Sequence, residues 1–198
     1  MKKLSGLLDQ RNAAKDKDAV AKVDEKIRKT FEQPLAVLIS DMSGFTERTK
    51  LGGIESFMAS IRLMQTIAEP LIAKHKAQWI KADADDLFII HKDPVELLAL
   101  ADEWQDAVKA HNEKNSDDMG LSLGLDFGPV LKIGNEDLFG SPVNVASKLG
   151  EDTAERGEIL VSENLFKALH DKAAARAEKC TPIDAAARHT KFSYYKCR

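Results

Sequence analysis

Apolar positions along this chain fall into blocks with two different periods, and the blocks alternate. Residues 35–39, Leu-Ala-Val-Leu-Ile, form a continuous apolar run that suits a strand buried on both faces. Pro34 precedes the run, and turn chemistry ends it at Ser40-Asp41-Met42-Ser43-Gly44. Ile54, Phe57, Met58, Ile61, Met64, Ile67, Leu71 and Ile72 then recur at helical spacing and predict a helix over one sheet face, with Pro70 as a kink or a last turn. Residues 79–83 and 87–90 predict two short strands around a tight acidic connection. Helical spacing returns at Leu97, Ala101, Trp104 and Val108, and Leu121, Leu123, Leu125 and Phe127 alternate as a strand does. Gly128-Pro129 is expected to break that strand, before a short strand, a Gly134-Asn135 turn and a return. Pro142 opens a helix through Leu149, residues 157–161 form another strand, and Ser162 caps a helix to about Leu169. An Ala-rich tail ends in a strand over 192–197.

Before all this, residues 4 to about 30 read as one charged helix with a thin apolar stripe at Leu7, Leu8, Val20, Val23 and Ile27. The stripe is too thin for a coiled coil. A solvated helix docking along that stripe and a dimerisation or signalling helix both fit. The division expected is therefore a segment at 1–33 and a main domain at 34–198. The element order predicts an α/β (α+β) fold: a mixed sheet with helices on it, neither a βα barrel nor a dinucleotide fold.

Composition narrows the function classes. The 198 residues carry a net charge of -3 with interspersed signs, which argues against a general nucleic-acid binder. No apolar run approaches the roughly 20 residues needed to cross a bilayer, and no apolar stretch follows the initial Met-Lys-Lys. A cytoplasmic location is expected, and with it Cys180 and Cys197 are expected as reduced thiols. Neither GxGxxG nor GxxxxGK[ST] occurs, so the common glycine-loop phosphate cradles are missing. The histidines show no metal-ligand spacing.

Three stretches carry chemistry. Asp41 ends a buried strand and is followed by a turn, Met42-Ser43-Gly44-Phe45-Thr46, whose backbone N–H groups can meet phosphate oxygens. Asp83, Asp85 and Asp86 crowd beside Lys81; carboxylates so close repel unless solvated or neutralised by a cation, and Mg²⁺ takes one or two carboxylates plus substrate phosphates. Asn144 and Lys148, four apart, share a helix face where an amide and a cation can address a sugar and a phosphate. Each stretch alone has an ordinary structural reading: a helix cap, an acidic hairpin turn, a polar helix face.

Together, and in this order, the three stretches resemble the class III adenylyl/guanylyl cyclases, over about 35–169. The pattern Asp41-x-x-Gly44-Phe45-Thr46 is similar to the family's first metal element, and Lys81 with Asp85 to its Lys-x-x-Gly-Asp element. Asp137-Leu-Phe-Gly140, followed by Val143-Asn144-x-Ala146-x-Lys148-Leu149, is similar to the family's Asp-x-x-Gly and Val-Asn-x-Ala-x-Arg-Leu elements. The resemblance implies the nucleotidyl cyclase fold, a largely antiparallel sheet on a ferredoxin-like βαββαβ core flanked by helices. It implies two Mg²⁺ or Mn²⁺ ions per site, held by Asp41 and Asp85 with Met42 beside them, one lowering the pKa of the ribose 3′-hydroxyl and the other steadying the triphosphate. Gly44, Phe45 and Thr46 would line the substrate, Lys81 and Asp137 would read the base, Asn144 would orient the ribose, and Lys148 would stabilise charge on the transferred phosphate. Lysine donates to adenine N1 and aspartate accepts from the 6-amino group, so ATP and cyclic AMP are expected. The family splits its site between subunits, which implies a homodimer.

Two departures stand out: Lys148 replaces an arginine and loses its planar fork, and Ala84 replaces a glycine. They keep open a nucleotide-binding or interaction module with little turnover. A preference for GTP or a pyrimidine nucleotide, or a phosphohydrolase using the carboxylates, also stays open. Control by a regulatory protein or by the N-terminal helix is expected, because the first 30 residues are too short for a sensor domain.

Overall fold

A computed structural model describes residues 1–42, 45–115, 117–184 and 193–197, with the side chains of 45–51 outside the description. The chain opens with two helices, α1 (Lys2–Ala13) and α2 (Lys17–Phe31), where the sequence suggested one. Asp16 makes the break: its carboxylate accepts from the Ala19 amide at 2.7 Å and caps α2. Arg11 pairs with Asp24 across the two helices. Leu4, Leu7 and Ile27 bury themselves with Ile133, and Val23 packs beside them, so this part of the stripe docks against the sheet while Leu8 stays exposed.

The rest runs β1 (Glu32–Asp41), α3 (Phe45–Lys74), β2 (Gln78–Asp83), β3 (Asp86–His91), α4 (Pro94–Asn115), β4 (Ser122–Ile133), β5 (Asp137–Phe139), α5 (Ser141–Gly150), β6 (Ile159–Ser162), α6 (Glu163–Lys172), α7 (Ala174–Ala177), β7 (Cys180–Ile183) and β8 (Tyr194–Cys197). The sheet order is β2-β3-β1-β4-β6-β8-β7, with β5 paired to β4. Among the described residues, only β4 and β6 pair in parallel. The first four strands with α3 and α4 form the ferredoxin-like βαββαβ core, as expected. No helix among the described residues is long and apolar enough to cross a membrane.

Strand alternation divides the core. Ala36, Leu38, Leu87 and Ile89 face α3, α4 and α6 around the fully buried Trp104. Leu35, Val37, Ile39, Phe88 and Ile90 face the other way, where α5 contributes Ala146. Helix α5 lies very close to the sheet. A Cβ at Gly124 would meet the Ala146 carbonyl oxygen at 2.1 Å, and one at Gly150 would meet the Ile39 carbonyl oxygen at 2.6 Å.

Three expectations are corrected here. Gly128-Pro129 does not break β4, which runs for 12 residues. Pro34 lies directly opposite Pro129, and neither can donate to the other. Their ring nitrogens therefore face outward, beyond the last β1–β3 pair at Ala36 and past the β6 pairing at 123–125, where no ladder bond is lost. In α3 the break from helical geometry is at Gly53 (φ 76°), while Pro70 stays inside the helix. Cys180 and Cys197 are joined by a disulfide rather than reduced. They are directly opposed across β7 and β8, a pairing hidden in the sequence because β7 carries only a four-residue strand.

Candidate active site

Three carboxylates meet where β1 ends and the β2–β3 turn begins. Single oxygens of Asp41, Asp85 and Asp86 all lie within 4.8 Å of one another. Asp41 continues the parity of Val37 and Ile39, and Asp86 that of Phe88 and Ile90, so both leave the sheet on the α5 face. Asp85 projects from the turn itself. The Ser40 hydroxyl accepts from the Leu87 amide at 3.0 Å and ties the two strand ends together beneath the cluster.

The electrostatics are those of a site short of positive charge. Burial pushes the Asp41 carboxyl up to about 6, with repulsion from Asp85 and Glu151 adding to it, against a hydrogen bond from the Met42 amide. Asp86 is pushed up to about 7, first by burial and then by Glu151, Asp85, Asp41 and Asp83. Glu151 caps the C-terminal end of α5, where the helix dipole is negative too. One oxygen of Asp86 is buried without a hydrogen-bond partner among the described residues. Hard, crowded, underpaired oxygens are the donor set that Mg²⁺ and Mn²⁺ take.

A second group forms across the same face. Lys81 Nζ is 2.9 Å from Asp137 Oδ1, although 56 positions separate the residues in sequence. A register shift between Trp79 and Lys81 turns Lys81 onto the face of Ile80, and its ammonium sits 4.7 Å above the Phe88 ring. Burial works upward on Asp137, but the Lys81 ammonium and the Leu138 amide outweigh it and hold the carboxyl below its ordinary value. The pair is partly open to solvent.

Asn144 and Lys148 stand apart from both groups. Both are exposed on α5, as their spacing of four predicted. Lys148 instead pairs with Asp152 at 2.7 Å, one turn on. Among the described residues, no hydrogen bond or ion pair joins either side chain to the carboxylates or to Lys81. Met42 buries its side chain in the core on the α3–α4 side, so only its backbone is available to a metal. Gly44 lies outside the described residues, as do the side chains of Phe45 and Thr46. Sequence reasoning assigned Asp41 and Asp85 as metal holders, counted Asp86 only among the crowded acids beside Lys81, and gave no role to Glu151. Strand parity counted back from Phe88 points to Asp86, whereas nothing in the sequence points to Glu151.

The family model for the adenylate and guanylate cyclase catalytic domain matches residues 28–195. A protein named serine/threonine-protein kinase pkn2 from Myxococcus xanthus is 26% identical over 168 residues, covering 84% of this chain and 20% of its own length. An adenylate cyclase of Mycobacterium bovis is 26% identical over 149 residues, covering 69% of this chain and 33% of its own length. The chain thus spans a third or less of both relatives. The adenylyl cyclase CyaB from P. aeruginosa superposes with a TM-score of 0.70 at 19% identity, over 84% of this chain and 94% of that one. A guanylyl cyclase domain from Blastocladiella emersonii superposes with a TM-score of 0.71 at 19% identity, over 84% and 96%. The two structures share the fold, and the family model reaches from α2 to β8: this chain belongs to the adenylate and guanylate cyclase catalytic domain family.

Proposed function

We propose that the chain is an adenylyl cyclase, converting ATP to 3′,5′-cyclic AMP and pyrophosphate at sites shared between two copies. The observation that carries the base preference is the 2.9 Å Lys81–Asp137 pair. An ammonium donates to adenine N1 while the neighbouring carboxylate accepts from the 6-amino group. Guanine presents an N–H and a carbonyl at the same edges and meets the wrong partner twice. Each mismatch leaves a partly buried polar group unpaired, which discriminates more strongly than a lost contact.

The carboxylates fit a divalent cation, with Asp41, Asp85 and the Met42 carbonyl as the proposed holders. Bound Mg²⁺ or Mn²⁺ supplies Lewis-acid activation of the ribose 3′-hydroxyl and neutralises the triphosphate. The chain's own residues do the rest. Lys81 and Asp137 fix the base, and through it the ribose, so that the 3′-oxygen approaches the α-phosphorus in line. The 3′-hydroxyl gives up its proton to water, a P–O bond forms at the α-phosphorus, the bond from that phosphorus to the bridging oxygen breaks, and pyrophosphate leaves. The backbone N–H groups around Gly44, Phe45 and Thr46 are the proposed contacts for the phosphates. Asn144 orients the ribose, and Lys148 meets the charge that builds on the transferred phosphate. Because Asn144 and Lys148 face solvent on their own chain, we assign them to the site of a second protomer.

The test is product formation by the purified chain with Mg²⁺ or Mn²⁺ across ATP, GTP, CTP and UTP. Cyclic AMP is the expected dominant product. A dominant cyclic GMP or cyclic pyrimidine overturns the base assignment, and inorganic phosphate in place of pyrophosphate overturns the reaction. One observation favours a second reading, a nucleotide-binding module with little turnover: Lys148 lacks an arginine's fork and is engaged by Asp152. Nucleotide binding without product, in both the wild type and Lys148→Arg, selects that reading.

A further inference from the structure

We propose that Asp86 is a third carboxylate ligand of the divalent-cation site and that, through it, the chain binds one cation before nucleotide arrives. The inference rests on the metal reading above and adds a residue that the motif comparison leaves without a role.

The sheet register puts Asp86 there. Strands β1 and β3 pair antiparallel at Ala36–His91, Val37–Ile90, Leu38–Ile89 and Ile39–Phe88. Carried on by two residues, the same register sets Asp41 opposite Asp86. At the step between, the Leu87 amide donates to the Ser40 hydroxyl, so the strands remain tied at that point. Both carboxylates lie on the α5 face by strand parity. Asp85 sits one residue away in the turn, and the ligand atoms of all three fall within 4.8 Å. Two of the three donors therefore sit at the ends of the neighbouring strands β1 and β3, and one comes from the β2–β3 turn.

The chemistry of Asp86 agrees with its placement. One of its oxygens is sealed from solvent and accepts no hydrogen bond among the described residues. A buried carboxylate oxygen without a donor is costly, and a cation removes that cost directly. Among the described residues, no Lys or Arg forms an ion pair with Asp41, Asp85, Asp86 or Glu151. Asp83, by contrast, is exposed at the other side of the turn. It lies outside the group of three and makes a natural control.

The experiment is a titration of the nucleotide-free chain with Mn²⁺, reading free Mn²⁺ by electron paramagnetic resonance. Wild type is expected to take up one ion per chain. Asp86→Asn should weaken that binding by roughly tenfold or more, in company with Asp41→Asn and Asp85→Asn, while Asp83→Asn stays near wild type. Unchanged affinity in Asp86→Asn alongside losses in Asp41→Asn and Asp85→Asn overturns this inference and leaves the metal reading standing. Wild type that takes up no Mn²⁺ by itself also overturns it, since metals arriving only with nucleotide satisfy the simpler reading. Affinity unchanged in all three variants removes the metal reading as well. Thermal melting of the metal-free variant reads its folding: Asp86→Asn relieves repulsion and is expected to melt at or above wild type while losing the Mn²⁺-induced rise. If that variant melts non-cooperatively, Asp86→Ser, smaller and equally neutral, goes through the same titration with the same outcomes.

Discussion

Ala84 holds φ at 52°, in the left-handed region that glycine occupies without steric cost. The related motif has glycine there, so this chain keeps the backbone shape and bears the strain. Ala84→Gly should relieve roughly 1 kcal/mol of it, partly offset by the freedom glycine adds to the unfolded chain. The expected net result is a rise of about 2 °C in melting temperature, with no loss of Mn²⁺ binding; a lower melting temperature contradicts the strain argument. At Lys148 the question is catalytic. Arginine restores a bidentate contact to the phosphate, so Lys148→Arg should raise kcat on the order of tenfold and leave KM for ATP nearly unchanged. A change confined to KM would place the residue in ground-state binding instead.

Asp41 and Asp86 also set a pH dependence. Both ionise at higher pH in the folded chain than in the unfolded one, with folded values of about 6 and about 7. Each therefore favours the fold fully at pH values below the unfolded carboxylate range and loses that contribution as the pH rises through 6 and 7. The metal-free chain should melt at progressively lower temperature between about pH 4 and pH 7. Saturating Mg²⁺ should flatten that decline, because a cation favours the ionised carboxylates. Melting curves across pH, with chelator and with Mg²⁺, measure both effects.

At the scale of elements, the strands hold the site and the helices shape its surroundings. The β1–β3 register places Asp41 and Asp86, the β2 register shift places Lys81, and the β4–β5 hairpin brings Asp137 back to meet it. Ser162 serves two elements at once: its hydroxyl accepts from the Leu165 amide to cap α6 and donates to the buried Asp126 on β4. Far from the carboxylates in sheet order, β7 and β8 are closed by the Cys180–Cys197 disulfide. Reduction, or Cys180→Ser, should lower stability by about 3 kcal/mol through the freed unfolded chain. Mn²⁺ affinity should be untouched, since β4 and β6 separate the β8–β7 pair from β1. A loss of metal binding on reduction would show that the sheet edge and the site are coupled.

At the scale of the whole molecule, one copy holds two groups of the proposed site and turns the third outward. Asp41, Asp85 and Asp86 cluster, Lys81 meets Asp137, and Asn144 and Lys148 face solvent. A shared site predicts complementation. Asp41→Asn and Asn144→Ala should each be inactive alone, yet mixed in equal amounts they should recover about a quarter of wild-type activity, because half the dimers are mixed and each has one intact site. No recovery on mixing, with dimers present, would put both residues in a single-chain site.

The sequence alone determined the alternation of strands and helices, since apolar period is a local property and survives without the fold. It determined Asp41 at the end of its strand and Asp85 in its acidic connection, the helix face of Asn144 and Lys148, and the ordered motifs that mark the family. It could not decide what depends on which strands become neighbours. Pro129 reads locally as a strand breaker, and only the register that sets it opposite Pro34, past the β3 and β6 ladders, lets β4 continue. Asp86 reads as one more acid in a turn, and only the register with β1 sets it opposite Asp41. Cys180 and Cys197 read as separate thiols until β7 and β8 pair. In each case the deciding interaction joins residues distant in sequence, and tertiary structure is where such pairs first acquire a distance.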